Sequence, residues 1–172
     1  MLTVGSTKIE TVDAPVVLGD ERLRRLYGLW REAHAHGLRA PGRAFVDPLR
    51  LRFMIGMIVL MDVQPEPLRF RYRLVGTEVV DHLGVELTGS WLDQHPDAGR
   101  IDQIAAALSL AWRGQRAVRF TYKLSSFKQA WACETLILPL SHGDGEMPLL
   151  LAGQIFPKDM PRFRRGQEDE AG

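Results

Sequence analysis

The segment at residues 68–89, LRFRYRLVGTEVVDHLGVELTG, changes from a two-residue repeat to helical spacing within a short stretch. A period of two is typical of a β-strand with one buried and one solvated face. The apolar positions of this predicted strand are Leu68, Phe70, Tyr72 and Leu74, and they alternate with Arg69, Arg71 and Arg73. Gly76 is predicted to end the strand, Thr77 to cap a short helix, and Gly84 to end that helix in a left-handed turn. The segment therefore predicts a strand, a short helix and a glycine turn in that order.

Length and composition limit the class of protein. A chain of 172 residues with 45% hydrophobic content is the right size for one domain with its own core. The 22 basic and 21 acidic residues nearly cancel, so the net charge gives no reason to expect nucleic acid or a membrane surface as a partner. A single cysteine, Cys133, excludes an intramolecular disulfide, and the chain shows neither a secretory signal nor an apolar run long enough to span a bilayer. We expect a cytoplasmic protein.

Helical spacing of apolar residues predicts two longer helices. The first covers residues 20–36, with Asp20 as its N-cap, and the second covers residues 100–113. Residues 1–19 have no apolar period and are expected to be flexible, and residues 158–172 form a charged tail. The predicted domain therefore covers residues 20–157.

Five strands are predicted, at residues 58–63, 68–74, 117–124, 129–140 and 148–156. The first and the last are apolar on both faces, which is typical of central strands covered on both sides. The second and third alternate between apolar and charged residues, which is typical of edge strands. An antiparallel sheet in the order 2-1-5-4-3, with helices on one face and the first helix flanking it, satisfies this pattern. The predicted fold class is α+β.

This arrangement is that of PAS domains, and the chain resembles a small family of bacterial PAS proteins, common in alphaproteobacteria, in which a helix precedes one PAS domain. The resemblance covers about residues 20–157 and is carried by LRRLYGLWREA, DPLRLRFMIGMIVLMDV, FRYRLVGTEVVDHLGVELTG and ETLILPLS. It implies a sensory or regulatory module that binds a small molecule, a protein partner, or both, and that forms a homodimer. Because no output segment is recognisable, the expected signal leaves through a separate signalling protein.

The predicted ligand site is the inward row of side chains between the sheet and its helices. It comprises Phe70, Tyr72, Leu74, Leu83, Trp91, Ile104, Leu108, Phe120, Tyr122 and either Glu134 or its neighbours on the strand. Glu134 is the exceptional member, because a buried carboxylate needs a partner or a proton. It can hold a ligand amine or hydroxyl, or it can pair with Arg119 or Lys123 on the adjacent strand.

The first helix carries a stripe of Leu23, Leu26, Tyr27 and Trp30. Flanking helices of PAS domains often dimerise, and tyrosine and tryptophan are enriched at interfaces. The stripe is therefore either an interface with a second chain or the cover of the protein's own sheet.

The cofactor, if there is one, is not identified by the sequence. Haem is disfavoured because the long helix has no histidine, although His95 precedes it, and covalent flavin is disfavoured because the asparagine-cysteine-arginine motif is absent. His34 and His36 face different directions on a helix, so no metal site is expected. His82 is expected to be solvated at a helix end.

We expect no enzymatic activity. Two alternatives from other classes remain open, the first being a small α+β enzyme such as a hot-dog thioesterase that uses Asp93 or Glu78. The second is an RNA-binding module built on the strand arginines. Its stacking aromatics would need to share the arginine face, whereas Phe70 and Tyr72 alternate to the opposite side.

Overall fold

An antiparallel sheet of six strands organises the computed structural model, which describes residues 3–35, 40–95, 98–126 and 129–163. The strands are β1 (Thr3–Thr11), β2 (Ile58–Pro65), β3 (Leu68–Val75), β4 (Val118–Ser125), β5 (Ala130–Leu140) and β6 (Leu149–Ile155). The α-helices of the described residues are α1 (Glu21–Ala35), α2 (Thr77–Leu83) and α3 (Ala98–Gly114). The sheet order is β1-β4-β5-β6-β2-β3. The predicted α+β fold is confirmed, and the five predicted strands keep their predicted relative order.

The number of strands was predicted wrongly, because β1 adds a sixth strand beside β4. Residues 1–19 were expected to be flexible, and β1 was not predicted because most of its residues are polar, although Ile9 packs against the inner core. A register shift between Gly5 and Lys8 further interrupts its pattern. The alternation of β4 therefore reflects a half-solvated outer face and not a position at the edge of the sheet.

Both faces of the central strands are covered. On the inner face, the sheet packs against α2 and α3, and the alternate outward-pointing residues of β2, β5 and β6 pack against α1. Within β6, Leu150 and Ala152 belong to the inner core, whereas Leu149 and Leu151 belong to the outer one. Because a helix layer covers each face of the sheet, these strands can be apolar on both sides. In the described part of the chain, no helix combines the length and apolarity needed to cross a membrane.

A bulge in β3 changes which side chains of the opening segment point inward. Leu60 of β2 lies opposite Leu74, but its neighbour Met61 lies opposite Tyr72, so Arg73 is the extra residue. Beyond the bulge Val75 is buried and Leu74 is 44% exposed. The prediction that Leu74 points inward was therefore wrong.

The described part of the predicted C-terminal tail packs onto the fold. Met160 is buried in the inner core, and Arg162 lies 2.6 Å from Glu78 of α2. Residues 164–172 lie outside the described residues, as does the end of the predicted first helix at His36.

The connection from β3 to α2 depends on close backbone contact. The Gly76 amide donates to the Ile58 carbonyl at 2.8 Å, and the Gly56 carbonyl accepts from the amide of Glu78 at 2.9 Å. Gly56 thus satisfies the start of α2, whose N-cap is Gly76; the prediction that Thr77 caps the helix was wrong, because Thr77 is its first residue. A Cβ atom on Gly76 would lie 2.2 Å from the Gly56 oxygen. Glycine is required here by space, because its own φ of −63° suits any residue.

We predict that Gly76→Ala destabilises the protein by about 2–3 kcal/mol, because backbone atoms must move to admit the methyl group. The matched control is Gly28→Ala on the exposed side of α1, where a Cβ atom meets nothing within 4 Å. The control is expected to raise stability by up to about 1 kcal/mol through helix propensity. Urea unfolding of both variants measures the difference in stability. Equal stabilities would contradict the requirement for glycine at position 76.

Candidate ligand cavity

A cavity of about 90 Å³ lies between the inner face of the sheet and helices α2 and α3. Its apolar wall consists of Val59, Met61, Val75, Val79, Leu83, Leu87, Ile104, Leu108, Phe120, Ile137 and Ala152. Its polar wall consists of Tyr72, Arg100, Tyr122, Thr135 and Gln154. An apolar cavity with a few polar groups is the usual form of a small-molecule site.

The lining residues fall into a floor and a mouth. The floor consists of the twelve buried lining residues, which come mainly from the strands. The mouth consists of the partly buried ones, which are Leu83 at the end of α2, Leu87 in the following loop, and Arg100 and Ile104 near the start of α3. The cavity therefore meets solvent between α2 and α3.

The polar groups of the floor bind one another. The Thr135 hydroxyl donates to the Gln154 carbonyl oxygen at 2.5 Å, and the Gln154 amide donates to the Ile155 carbonyl at 3.2 Å. Tyr122 lines the same cavity. A buried network of this kind is satisfied without a ligand.

Burial raises the pKa values of two tyrosines that line the cavity. Desolvation raises the pKa of Tyr72 and, more strongly, that of Tyr122, while the positive charge of Arg100 opposes both shifts. Both hydroxyls therefore stay protonated at neutral pH and remain able to donate a hydrogen bond. Arg100 has this effect on both pKa values because it lines the same cavity as the two tyrosines.

Six of the ten predicted ligand residues line the cavity: Tyr72, Leu83, Ile104, Leu108, Phe120 and Tyr122. Phe70 is buried in the inner core beyond the cavity wall. Trp91 is partly buried at the edge of the sheet, where the guanidinium of Arg69 lies 4.2 Å from its ring centroid. That these six side chains bind a ligand stays a prediction.

Leu74 and Glu134 lie away from the cavity. The bulge turns Leu74 outward, and Glu134 occupies the outer face of β5 with Leu136 and Leu138. Arg119 donates a hydrogen bond to the Glu134 carboxylate at 2.6 Å. Of the two roles predicted for Glu134, the structure therefore shows the pairing with Arg119.

Glu134 also fixes the start of α1. Its carboxylate accepts the backbone amide of Gly19 at 2.9 Å and that of Asp20 at 3.1 Å. Arg119 in turn reaches Glu10 of β1 at 3.1 Å. The carboxylate therefore connects β4 and β5 to the segment that leads into α1.

Sequence reasoning missed the polar cavity residues Arg100 and Gln154, and it included Thr135 only as a strand neighbour of Glu134. Gln154 interrupts an otherwise apolar strand, and this exception was a usable signal. Thr135 follows Glu134 and so takes the opposite face, as the two-residue period requires. Arg100 begins the predicted long helix, and its position at the cavity mouth depends on how α3 packs.

The stripe on α1 covers the protein's own sheet. Leu23, Leu26, Tyr27 and Trp30 are at most 4% exposed, and the Trp30 indole donates to the Pro139 carbonyl at 3.0 Å. Burying such side chains stabilises a fold by about 1.5–3 kcal/mol each. They are therefore not available to a second chain, and the alternative reading of the stripe is the one observed.

The arginines of β3 are engaged within the protein. Arg69 binds Asp93 at 2.6 Å, Arg73 binds Asp62 at 2.9 Å, and Arg71 donates to the Gly89 carbonyl at 3.0 Å. This disfavours the RNA-binding alternative. The two acids considered for a thioesterase, Asp93 and Glu78, pair with Arg69 and Arg162 and do not line the cavity.

His82 and Cys133 are buried within the fold. His82 was expected to be solvated, but it is 7% exposed and packs 4.4 Å from the Phe156 ring, because the chain after β6 covers α2. Cys133 is buried in β5. His36 lies outside the described residues, and among those described no group of three or more histidine, cysteine and acidic side chains could hold a metal ion.

The chain was compared with known protein families, curated proteins and solved structures. A family model described as PAS domain matches residues 20–155. Searches of curated proteins and of solved structures gave no significant match.

We predict that Glu134→Ala lowers stability by about 2–3 kcal/mol, because it removes two backbone hydrogen bonds and a partly buried partner of Arg119. Glu134→Gln keeps an acceptor and should lose about half as much. Glu32→Ala, at an exposed position of α1, is the control and should change stability by less than about 0.5 kcal/mol. Urea denaturation measures all three variants, and an unchanged midpoint for Glu134→Ala would refute the role of this contact.

We also predict that Cys133 reacts slowly in the native protein. Burial raises its pKa to about 12, and the thiolate fraction at pH 8 falls roughly a thousandfold below that of an ordinary thiol. Labelling with a chromogenic disulfide reagent, with and without urea, compares the two states. A native rate within tenfold of the unfolded rate would contradict the prediction.

Proposed function

Because the chain belongs to the PAS domain family, we propose that it is a sensory or regulatory module that binds a small molecule in the cavity beneath α2 and α3. The cavity itself carries this proposal, since it lies between the sheet and its helices and is mostly apolar. Its partly buried side between α2 and α3 gives a ligand a route from solvent.

The two central strands connect the cavity to α1. Thr135 and Gln154 face the cavity, and their neighbours Glu134 and Gly153 face α1. Alternation along a strand places such neighbours on opposite faces. A ligand that moves the Thr135–Gln154 pair therefore displaces the strands on which α1 rests.

The helix lies very close to β6 at Gly153. A Cβ atom there would come within 2.8 Å of Leu26 and 2.9 Å of Met54. Small shifts of β6 are therefore transmitted to α1, because the side chains of Leu23 and Leu26 pack directly on the backbone of Gly153. We assign α1 as the element that reports occupancy.

A partner would meet the exposed side of α1, because its apolar side is buried. That exposed side includes Glu21, Arg25, Arg31 and Glu32. A separate signalling protein or a second copy of the chain would therefore make largely polar contacts with α1. Homodimer formation, a cytoplasmic location and the absence of enzymatic activity stay predictions.

We predict that the protein purified under native conditions carries a small molecule, visible as added mass in native mass spectrometry. Ala152→Leu should abolish that mass because the larger side chain occupies the cavity, whereas Ala132→Leu, at an exposed position of β5, should retain it. Hydrogen exchange of α1 should slow when the ligand is present.

One combination of results would contradict the proposal that this cavity binds a ligand. If the wild type carries no added mass, no compound in a metabolite library raises its Tm, and Ala152→Leu is more stable than the wild type, the cavity is a packing void. Filling a void stabilises a protein. The sensory proposal would then be abandoned for this cavity.

A further inference from the structure

Among the described residues, one charged side chain lines the cavity. Arg100 is the charged residue among the described lining residues, and no acidic side chain lines the cavity with it. It lies at the mouth, and its charge acts on Tyr72, Tyr122 and Cys133 in the interior. A guanidinium has five N–H donors, so it can keep a protein partner and still bind a carboxylate.

The floor of the cavity is mostly apolar and carries no charged side chain among the described residues. Thr135 and Gln154 hydrogen-bond with each other, and the Gln154 amide donates to the Ile155 carbonyl. The remaining floor is aliphatic and aromatic, including Val59, Met61 and Phe120. A polar group placed there would lose its hydration and gain few new bonds.

Volume limits the size of the occupant. A cavity of roughly 150 Å³ holds one benzene molecule, and this one measures about 90 Å³. An apolar chain of about three to five carbon atoms, with its head group outside the floor, is the corresponding size.

We propose that the ligand is a small carboxylic acid whose short apolar chain occupies the floor and whose carboxylate binds Arg100 at the mouth, with the Tyr72 hydroxyl as a second donor. This inference rests on the proposed sensory function. It excludes amines, which Arg100 repels, and it separates an acid from the amide of the same shape.

The test measures binding by isothermal titration calorimetry at pH 7 and fixed ionic strength. The probes are isobutyrate and isovalerate, their amides, and isobutylamine. The variants are Arg100→Gln, Arg100→Lys, and Arg113→Gln at an exposed position of the same helix. Circular dichroism and Tm confirm that each variant folds.

The wild type should bind at least one acid and bind its amide about 10- to 100-fold more weakly, as expected for the loss of charge-assisted hydrogen bonds. The amine should not bind. Arg100→Gln should remove the preference for the acid, Arg100→Lys should retain part of it, and Arg113→Gln should behave as the wild type.

Three results would overturn the inference: no acid binds, the amide binds as tightly as the acid, or Arg100→Gln binds the acid with unchanged affinity. If these occur while Ala152→Leu still abolishes a co-purified mass, the sensory proposal stands and the ligand class is wrong. If the wild type also carries no small molecule and binds none from a library, both proposals fall.

Discussion

Burial of both faces of the central strands is the constraint on which the rest of the structure depends. Strands β2, β5 and β6 are apolar on both sides, so neither face can remain in water. One face packs against α2 and α3, and the other against α1. The flanking helix is therefore an integral layer of the fold, which explains why its aromatic stripe points inward.

Polar contacts determine where the layers sit. Glu134 holds the start of α1 against the outer face, and the Gly56 carbonyl holds the start of α2 against the inner face. Glu134 accepts the two backbone amides that immediately precede α1, and the Gly56 carbonyl accepts an amide from the first turn of α2, which would otherwise lack a partner. The cavity lies between the inner face and its helices, where side chains from the sheet, α2 and α3 converge.

Much of this arrangement could be predicted from local pattern. The strand at residues 68–74, the helix that follows Gly76 and the end of that helix at Gly84 were recognised because each depends on neighbouring residues. β1 was missed because its polar sequence contributes little to the core, and its pairing with β4 spans more than a hundred residues. Leu74 was misplaced because a bulge arises from pairing with β2, which a single strand's sequence does not record.

The sequence by itself determined the fold class, the order of five strands and six of the residues around the cavity, because the two-residue and helical periods follow directly from backbone geometry. The tertiary structure alone decided that Glu134 faces α1 and that Arg100, Thr135 and Gln154 meet at the cavity. These side chains come from separate elements, and contacts between distant elements depend on packing and not on spacing along the chain.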